Sequence, residues 1–232
     1  PQSPGEIFTT NEDGTWFQLS AVHEALLADI EFGAVEKHEF ESEPGVTIEA
    51  FYLFPPGYQK EHSYPAVLHI HGGPQAQWDF GFNYEAQLLA AQGYVVVMPN
   101  PRGSFGYGQK FASAINKDWG GPDFIDVMAA MDFGIDKGWI DSERMAVYGW
   151  SYGGMLTNHV ITKTNRFAAA ITGASATLYV SNYGHDQYQR WWEEELGFPW
   201  LAENKEAWDN ISPFYALEQV TTPTLVVGGE ED

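Results

Sequence analysis

Ser151 stands in Gly149-Trp150-Ser151-Tyr152-Gly153, a G-x-S-x-G run with a short apolar stretch before it and a helix-like stretch after it. Small residues two before and two after a serine let a strand turn sharply into a helix, because larger side chains there collide with neighbouring backbone. Such a turn lifts the hydroxyl above the C-terminal edge of a sheet. It also sets the serine at the positive end of a helix, where a developing anion is stabilised. The context predicts a nucleophile for acyl transfer at Ser151; the alternative is a glycine-rich turn with a capping serine. A tetrahedral intermediate needs two donors aimed at its oxyanion. The backbone N–H of Tyr152 is one expected donor. The run His71-Gly72-Gly73-Pro74 is the expected source of the other, with the Gly73 N–H preferred over Gly72. His71 is expected to hold this loop by packing or hydrogen bonding rather than to act as the base.

The acid of such a site belongs at the end of a later strand. "TLVVGGEED" is that strand, and it ends in Glu230, Glu231 and Asp232. Asp232 is selected as the group that orients a histidine; the alternative is a cluster of solvated loop acids. In this fold the chain order is serine, acid, histidine. The seven histidines (His23, His38, His62, His69, His71, His159 and His185) all precede Asp232. His69 is expected in a buried strand, His159 facing the core or a helix neighbour from the helix after Ser151, and His185 in a loop, the one histidine that position alone does not dismiss. The base is therefore expected beyond residue 232, in a longer protein of which this sequence is an internal stretch.

The surrounding pattern has to position these groups. "AVLHI", "YVVVMPN", "MAVYG", "FAAAITGA" and "TPTLVV" are short apolar strands, and "NYEAQLLAAQG", "DFIDVMAAMDFGIDKG" and "YGGMLTNHVITK" carry helical spacing between them. That alternation predicts an α/β fold of the α/β-hydrolase type: a mostly parallel, twisted sheet with helices on both faces. "AVEKHEFES" and "VTIEAFYLF", with Pro44-Gly45 between them, predict an antiparallel pair at its start. The first twenty residues read differently, as two strands around the turn Asn11 to Gly14. A lone hairpin is marginal in water, so this one is expected to belong to a larger β structure upstream. The expected division is 1–30, hairpin plus linker, and 31–232, the catalytic domain without its last strand and helix.

Eleven basic residues against thirty-two acidic ones give a net charge of −21. So negative a surface repels phosphate backbones and anionic lipid, which argues against nucleic-acid and membrane partners. The absence of cysteine excludes disulfides, thiolate catalysis and cysteine-ligated zinc. Arg102, in a glycine-rich loop, is expected to anchor that loop through an ion pair rather than to touch substrate. The run "YQRWWEEELGFPW" places Trp191, Trp192, Phe198 and Trp200 beside Glu193 to Glu195. It reads equally as the lining of a specificity pocket, with an acid for a substrate amine, and as a helix packed over the sheet.

The segments "HGGP", "NPRGSFGYG", "WGGPDFIDVMAAMDFGIDKGWID", "YGWSYGGM" and "PTLVVGGEED" occur in order between about Ala34 and Asp232. They resemble the prolyl oligopeptidase family of serine peptidases, most closely its acylaminoacyl-peptidase-like branch. The resemblance implies an α/β-hydrolase domain after a β-propeller that admits only short peptides, with residues 1–20 as the propeller's last part. It implies Ser151 as nucleophile, Asp232 as triad acid, and Tyr152 and Gly73 as oxyanion donors. Other branches of the family carry an oxyanion tyrosine where this chain has His71, which favours a backbone donor here. The activity implied is hydrolysis of short peptides through an acyl-enzyme, with carboxylesterase chemistry or a non-catalytic fragment as alternatives. It needs no metal or organic cofactor. The implied partner is a short peptide substrate, with a homo-oligomer left open.

Overall fold

A computed structural model describes residues 4–230. Two β-branched and aromatic triplets, β1 (Phe8–Thr10) and β2 (Trp16–Gln18), pair antiparallel as a small separate sheet. Their turn is closed by the Asn11 side chain, which accepts the Thr15 N–H at 2.9 Å, and by Gly14 at φ 84°. A one-turn helix, α1 (Glu24–Leu27), lies in the linking segment.

The main sheet has seven strands. β3 (Val35–Glu43) and β4 (Val46–Leu53) form the expected antiparallel pair, followed along the chain by β5 (Tyr64–Ile70), β6 (Val95–Asn100), β7 (Ile140–Trp150), β8 (Ala169–Gly173) and β9 (Thr224–Val227). Their spatial order is β3-β4-β6-β5-β7-β8-β9. The pairs from β6 through β9 are parallel, and only β3/β4 and β4/β6 are antiparallel. Strands in the middle of such a sheet are covered on both faces and are therefore continuously apolar. Val95, Val96 and Val97 are fully buried, as are Ala66 and Leu68. Each fully buried valine or leucine stabilises the fold by ~1.5–3 kcal/mol relative to exposure.

Helices cover the two faces. α2 (Tyr84–Ala91) opens on Asn83, whose side chain accepts the Ala86 N–H, and stops before Gly93 at φ 89°. Its Ala86 and Ala90 pack on Phe51, Leu53, Val96 and Met98. After the short helix α3 (Gln109–Ala112), α4 (Pro122–Asp136) and α5 (Tyr152–Lys163) cover the opposite face. There Val127, Ala130, Met131, Leu156 and Val160 join Tyr52, Leu68, Val97 and Val147 in the main core. β7 begins five residues before "MAVYG", because Ile140 also pairs, with Tyr64.

The segment between β8 and β9 is helical, as one of the two readings of "YQRWWEEELGFPW" had it for its middle part. It forms α6 (Tyr179–His185), α7 (Gln189–Leu196) and α8 (Lys205–Asn210), with 3₁₀ turns at Ala202–Asn204 and Pro213–Gln219. His185, expected in a loop, is instead the last residue of α6 and is exposed. The local sequence hides this helix: Gly184 is a poor helix former, and the turn is stabilised by Tyr179, buried among Trp119 and Trp192.

Candidate active site

The register of the sheet brings the expected chemistry to one edge. Ile70 pairs with Gly149, Trp150 with Gly173, and Gly173 with Val227. The C-terminal ends of β5, β7, β8 and β9 therefore finish side by side. The loops that leave them carry His71 to Pro74, Ser151 and, after β9, Glu230. Glu230 is exposed beyond β9. Asp232, selected as the triad acid, lies outside the described residues together with Glu231.

Ser151 has φ 57° and ψ −125°. A non-glycine residue held there carries strain of about 1–3 kcal/mol, sustained only when its surroundings fix it. The restraints are identifiable. Its N–H donates to Gly173 O and its C=O accepts the Met155 N–H, both at 2.9 Å. The turn is also too tight for side chains. A Cβ on Gly149 would lie 2.1 Å from Gly153 O, and one on Gly153 would lie 2.2 Å from Ile70 O. Ser151 itself is exposed. Two cavities, about 220 Å³ beside Trp78 and Phe82 and about 620 Å³ between the hairpin and the linker, are lined by other residues.

Tyr152 is the first residue of α5, so its amide has no acceptor within the helix. Its side chain turns inward and is buried, its hydroxyl donating to Asp123 Oδ2. Burial pushes the Asp123 carboxyl up to about 6, against that hydrogen bond, which pulls it down. The glycine loop is seated directly against the serine: a Cβ on Gly72 would lie 3.5 Å from Ser151 Cβ and 3.3 Å from Trp150 O. Gly73 follows at φ 131°, where a Cβ would meet Gln75 N at 2.6 Å, so only glycine fits.

His71 does what the sequence led one to expect. It is buried, with Nδ1 2.7 Å from Gly72 O and Nε2 2.9 Å from Ser104 Oγ. Burial lowers its pKa, and both ring nitrogens are engaged within the loops. His69 and His159 are also buried, and burial pulls them down to about 4 and about 3. His69 stacks on Tyr148 inside the sheet, and His159 lies against Gly120. Arg102 is a loop anchor: Nε lies 2.9 Å and Nη2 2.8 Å from the two oxygens of Asp126, and Nη2 also reaches Glu43 at 2.6 Å.

The tryptophan-rich run divides. Trp192 is buried against Trp119, Tyr179 and Trp208, whereas Phe198 and Trp200 stack on each other at the surface. Glu195 accepts the Trp119 indole N–H, and burial raises its pKa. α7 thus packs on an aromatic cluster beside the sheet. Sequence reading passed over Asp123 and Asp126. A signal was present: both carboxylates fall on the same helical stripe as the buried Val127, Ala130 and Met131.

A sheet edge that gathers a strained serine, a glycine loop against it and a helix N-terminus behind it defines an α/β-hydrolase. The chain belongs to the prolyl oligopeptidase family, whose model matches residues 78–232. It is 35% identical over 234 residues to the uncharacterized peptidase YuxL of Bacillus subtilis (strain 168), covering 100% of this chain and 36% of that protein. It is 30% identical over 241 residues to dipeptidyl-peptidase 5 of Porphyromonas gingivalis, covering 99% of this chain and 34% of that one. The solved acylaminoacyl peptidase of Pyrococcus horikoshii superposes with a TM-score of 0.88 at 25% identity, over 98% of this chain and 36% of that chain. The chain thus spans about a third of the length of these relatives.

Proposed function

We propose that the full-length protein is a serine peptidase that cleaves short peptides through an acyl-enzyme on Ser151, in the manner of an acylaminoacyl or dipeptidyl peptidase. The observation that carries this reading is Ser151 itself, exposed and strained at φ 57° with Gly72 packed against it. Strain of this kind collects where a side chain must be presented for chemistry. The Ser151 hydroxyl attacks the scissile carbonyl, and the N–H groups of Tyr152 and Gly73 receive the oxyanion. Asp232 orients the histidine that carries the proton from the serine to the leaving amine. That histidine comes from the remainder of the longer protein, a reading supported by the engagement of His71 and the burial of His69 and His159. Residues 1–30 are the end of an upstream β-propeller and its linker, a reading supported by the exposure of Ile7, Trp16 and Leu19 on the isolated hairpin.

The test is fluorophosphonate labelling of the full-length protein, followed by turnover of acyl-peptides and aminoacyl-nitroanilides against short p-nitrophenyl esters. Labelling at Ser151 with peptide turnover is expected, and Ser151→Ala should lower kcat on the order of 10⁶-fold. Ester turnover alone would make the protein a carboxylesterase on the same scaffold. An unlabelled Ser151 would make it a non-catalytic member of the fold.

A further inference from the structure

We propose that Asp123 is a positioning residue for the oxyanion site: its buried carboxylate accepts the Tyr152 hydroxyl and thereby fixes the peptide that presents the Tyr152 N–H. The proposal rests on the reading of Ser151 and Tyr152 given above.

The Ser151–Tyr152 peptide is the point where a strained residue meets the first turn of a helix. On its upstream side it is held by the bonds from Ser151 to Gly173 and Met155. On its downstream side the restraint comes from the Tyr152 side chain. That ring is buried edge-on against Trp119, with centroids 5.3 Å apart. Its far end reaches Asp123, 29 residues away in sequence and on a different helix. Asp123 cannot drift. It sits in the first turn of α4, fully buried, and its Oδ1 accepts the Phe124 N–H at 3.0 Å. One turn further on, Asp126 clamps the same helix to Arg102 and to Ser42, whose hydroxyl lies 2.6 Å from Asp126 Oδ1. The first residue of α5 is therefore moored to a braced helix through one side-chain hydrogen bond. Packing alone would be served more cheaply by phenylalanine against leucine, because a carboxylate loses its hydration on burial. What the acid adds is direction. It fixes where the ring ends, and with it the rotation of the backbone that carries the amide.

The experiment compares Tyr152→Phe, Asp123→Asn and the double variant in the full-length protein, with kcat expressed per site titrated by a fluorophosphonate. Tyr152→Phe is expected to lower per-site kcat by about 10- to 100-fold with KM within about twofold. That is less than the 10²–10³ lost when an oxyanion donor is removed outright. Asparagine keeps an acceptor oxygen, so Asp123→Asn should lose less. The double variant should be no worse than Tyr152→Phe, because both changes break one bond. Affinity for a peptide boronate, which binds as a tetrahedral adduct, should fall in parallel with kcat/KM. Per-site kcat unchanged in both single variants, or losses that multiply in the double variant, would overturn the proposal. So would a loss confined to melting temperature or to the titratable fraction. Those results would leave the reading of Ser151 standing. A wild-type protein unlabelled at Ser151 would instead overturn that reading, and the positioning role with it.

Discussion

At Ser151 the geometry needed for chemistry and the geometry preferred by the chain pull apart. A φ of 57° with ψ −125° is open to glycine and costly for serine. The hydroxyl is thus displayed at the expense of stability, and two substitutions that both remove it should separate the terms. Ser151→Ala keeps the Cβ and the strain. Ser151→Gly removes both and gives back part of the gain as lost chain entropy, about 0.5–1 kcal/mol. The glycine variant should be the more stable of the two by about 1 kcal/mol in urea unfolding. Equal stabilities would mean that the turn is unstrained. The neighbouring glycines permit no such exchange. Gly153→Ala drives a methyl into Ile70 O, 2.2 Å from the ideal Cβ position, and should cost about 3 kcal/mol and most of the activity.

Elements deliver these residues to one edge, and their anchoring is also testable. Arg102 holds the loop after β6 to α4 through Asp126, which is fully buried. Removing one partner of such a pair leaves a buried charge uncompensated. Arg102→Met should therefore cost about 3 kcal/mol in urea unfolding, and adding Asp126→Asn should restore part of the loss. Unchanged stability in the single variant would show that the Ser42 and backbone donors to Asp126 suffice. The ion pair was legible as a loop anchor, but its partner was not, because 24 residues separate the two and the packing of α4 on the sheet brings them together. The same division runs through the whole chain. β5, β6 and the turn at Ser151 could be read because their signals are local: an unbroken apolar run, or glycines at fixed offsets. The helices between β8 and β9 were less legible: α7 was one of two readings of its run, and α6 owes its stability to Tyr179 meeting Trp119, sixty residues earlier in the chain. The position of His71 was legible. Its bond to Ser104, on the next loop, was not.

For the molecule as a whole, acid acts in opposite directions on surface and core. With a net charge of −21, protonating surface carboxylates relieves self-repulsion and favours the folded state. The buried groups add their own terms. His159 and His69 titrate near 3 and 4 when folded, against 6.5 in the free side chain, because burial disfavours their charged forms. As pH falls below 6.5 the unfolded chain takes up protons that the folded chain refuses, so stability falls across that window. Asp123 runs the other way: raised to about 6 from 3.8, it binds a proton in the folded state first, and stability rises as pH falls from about 6 toward 3.8. At pH 5 His159 and His69 together outweigh Asp123 by about one proton, or ~1.4 kcal/mol per pH unit, while burial of His71 adds to the histidine side and that of Glu195 to the acid side. A variant that removes one histidine isolates its share from the surface term, which is common to both proteins. His159→Leu should make the dependence of unfolding free energy on pH shallower by ~1.4 kcal/mol per unit between pH 6 and 4, whatever its stability at pH 7. Urea unfolding of both proteins at pH 7, 6, 5 and 4 measures the difference. Parallel curves would mean that His159 is protonated in the folded protein, with its charge accommodated beside Tyr179.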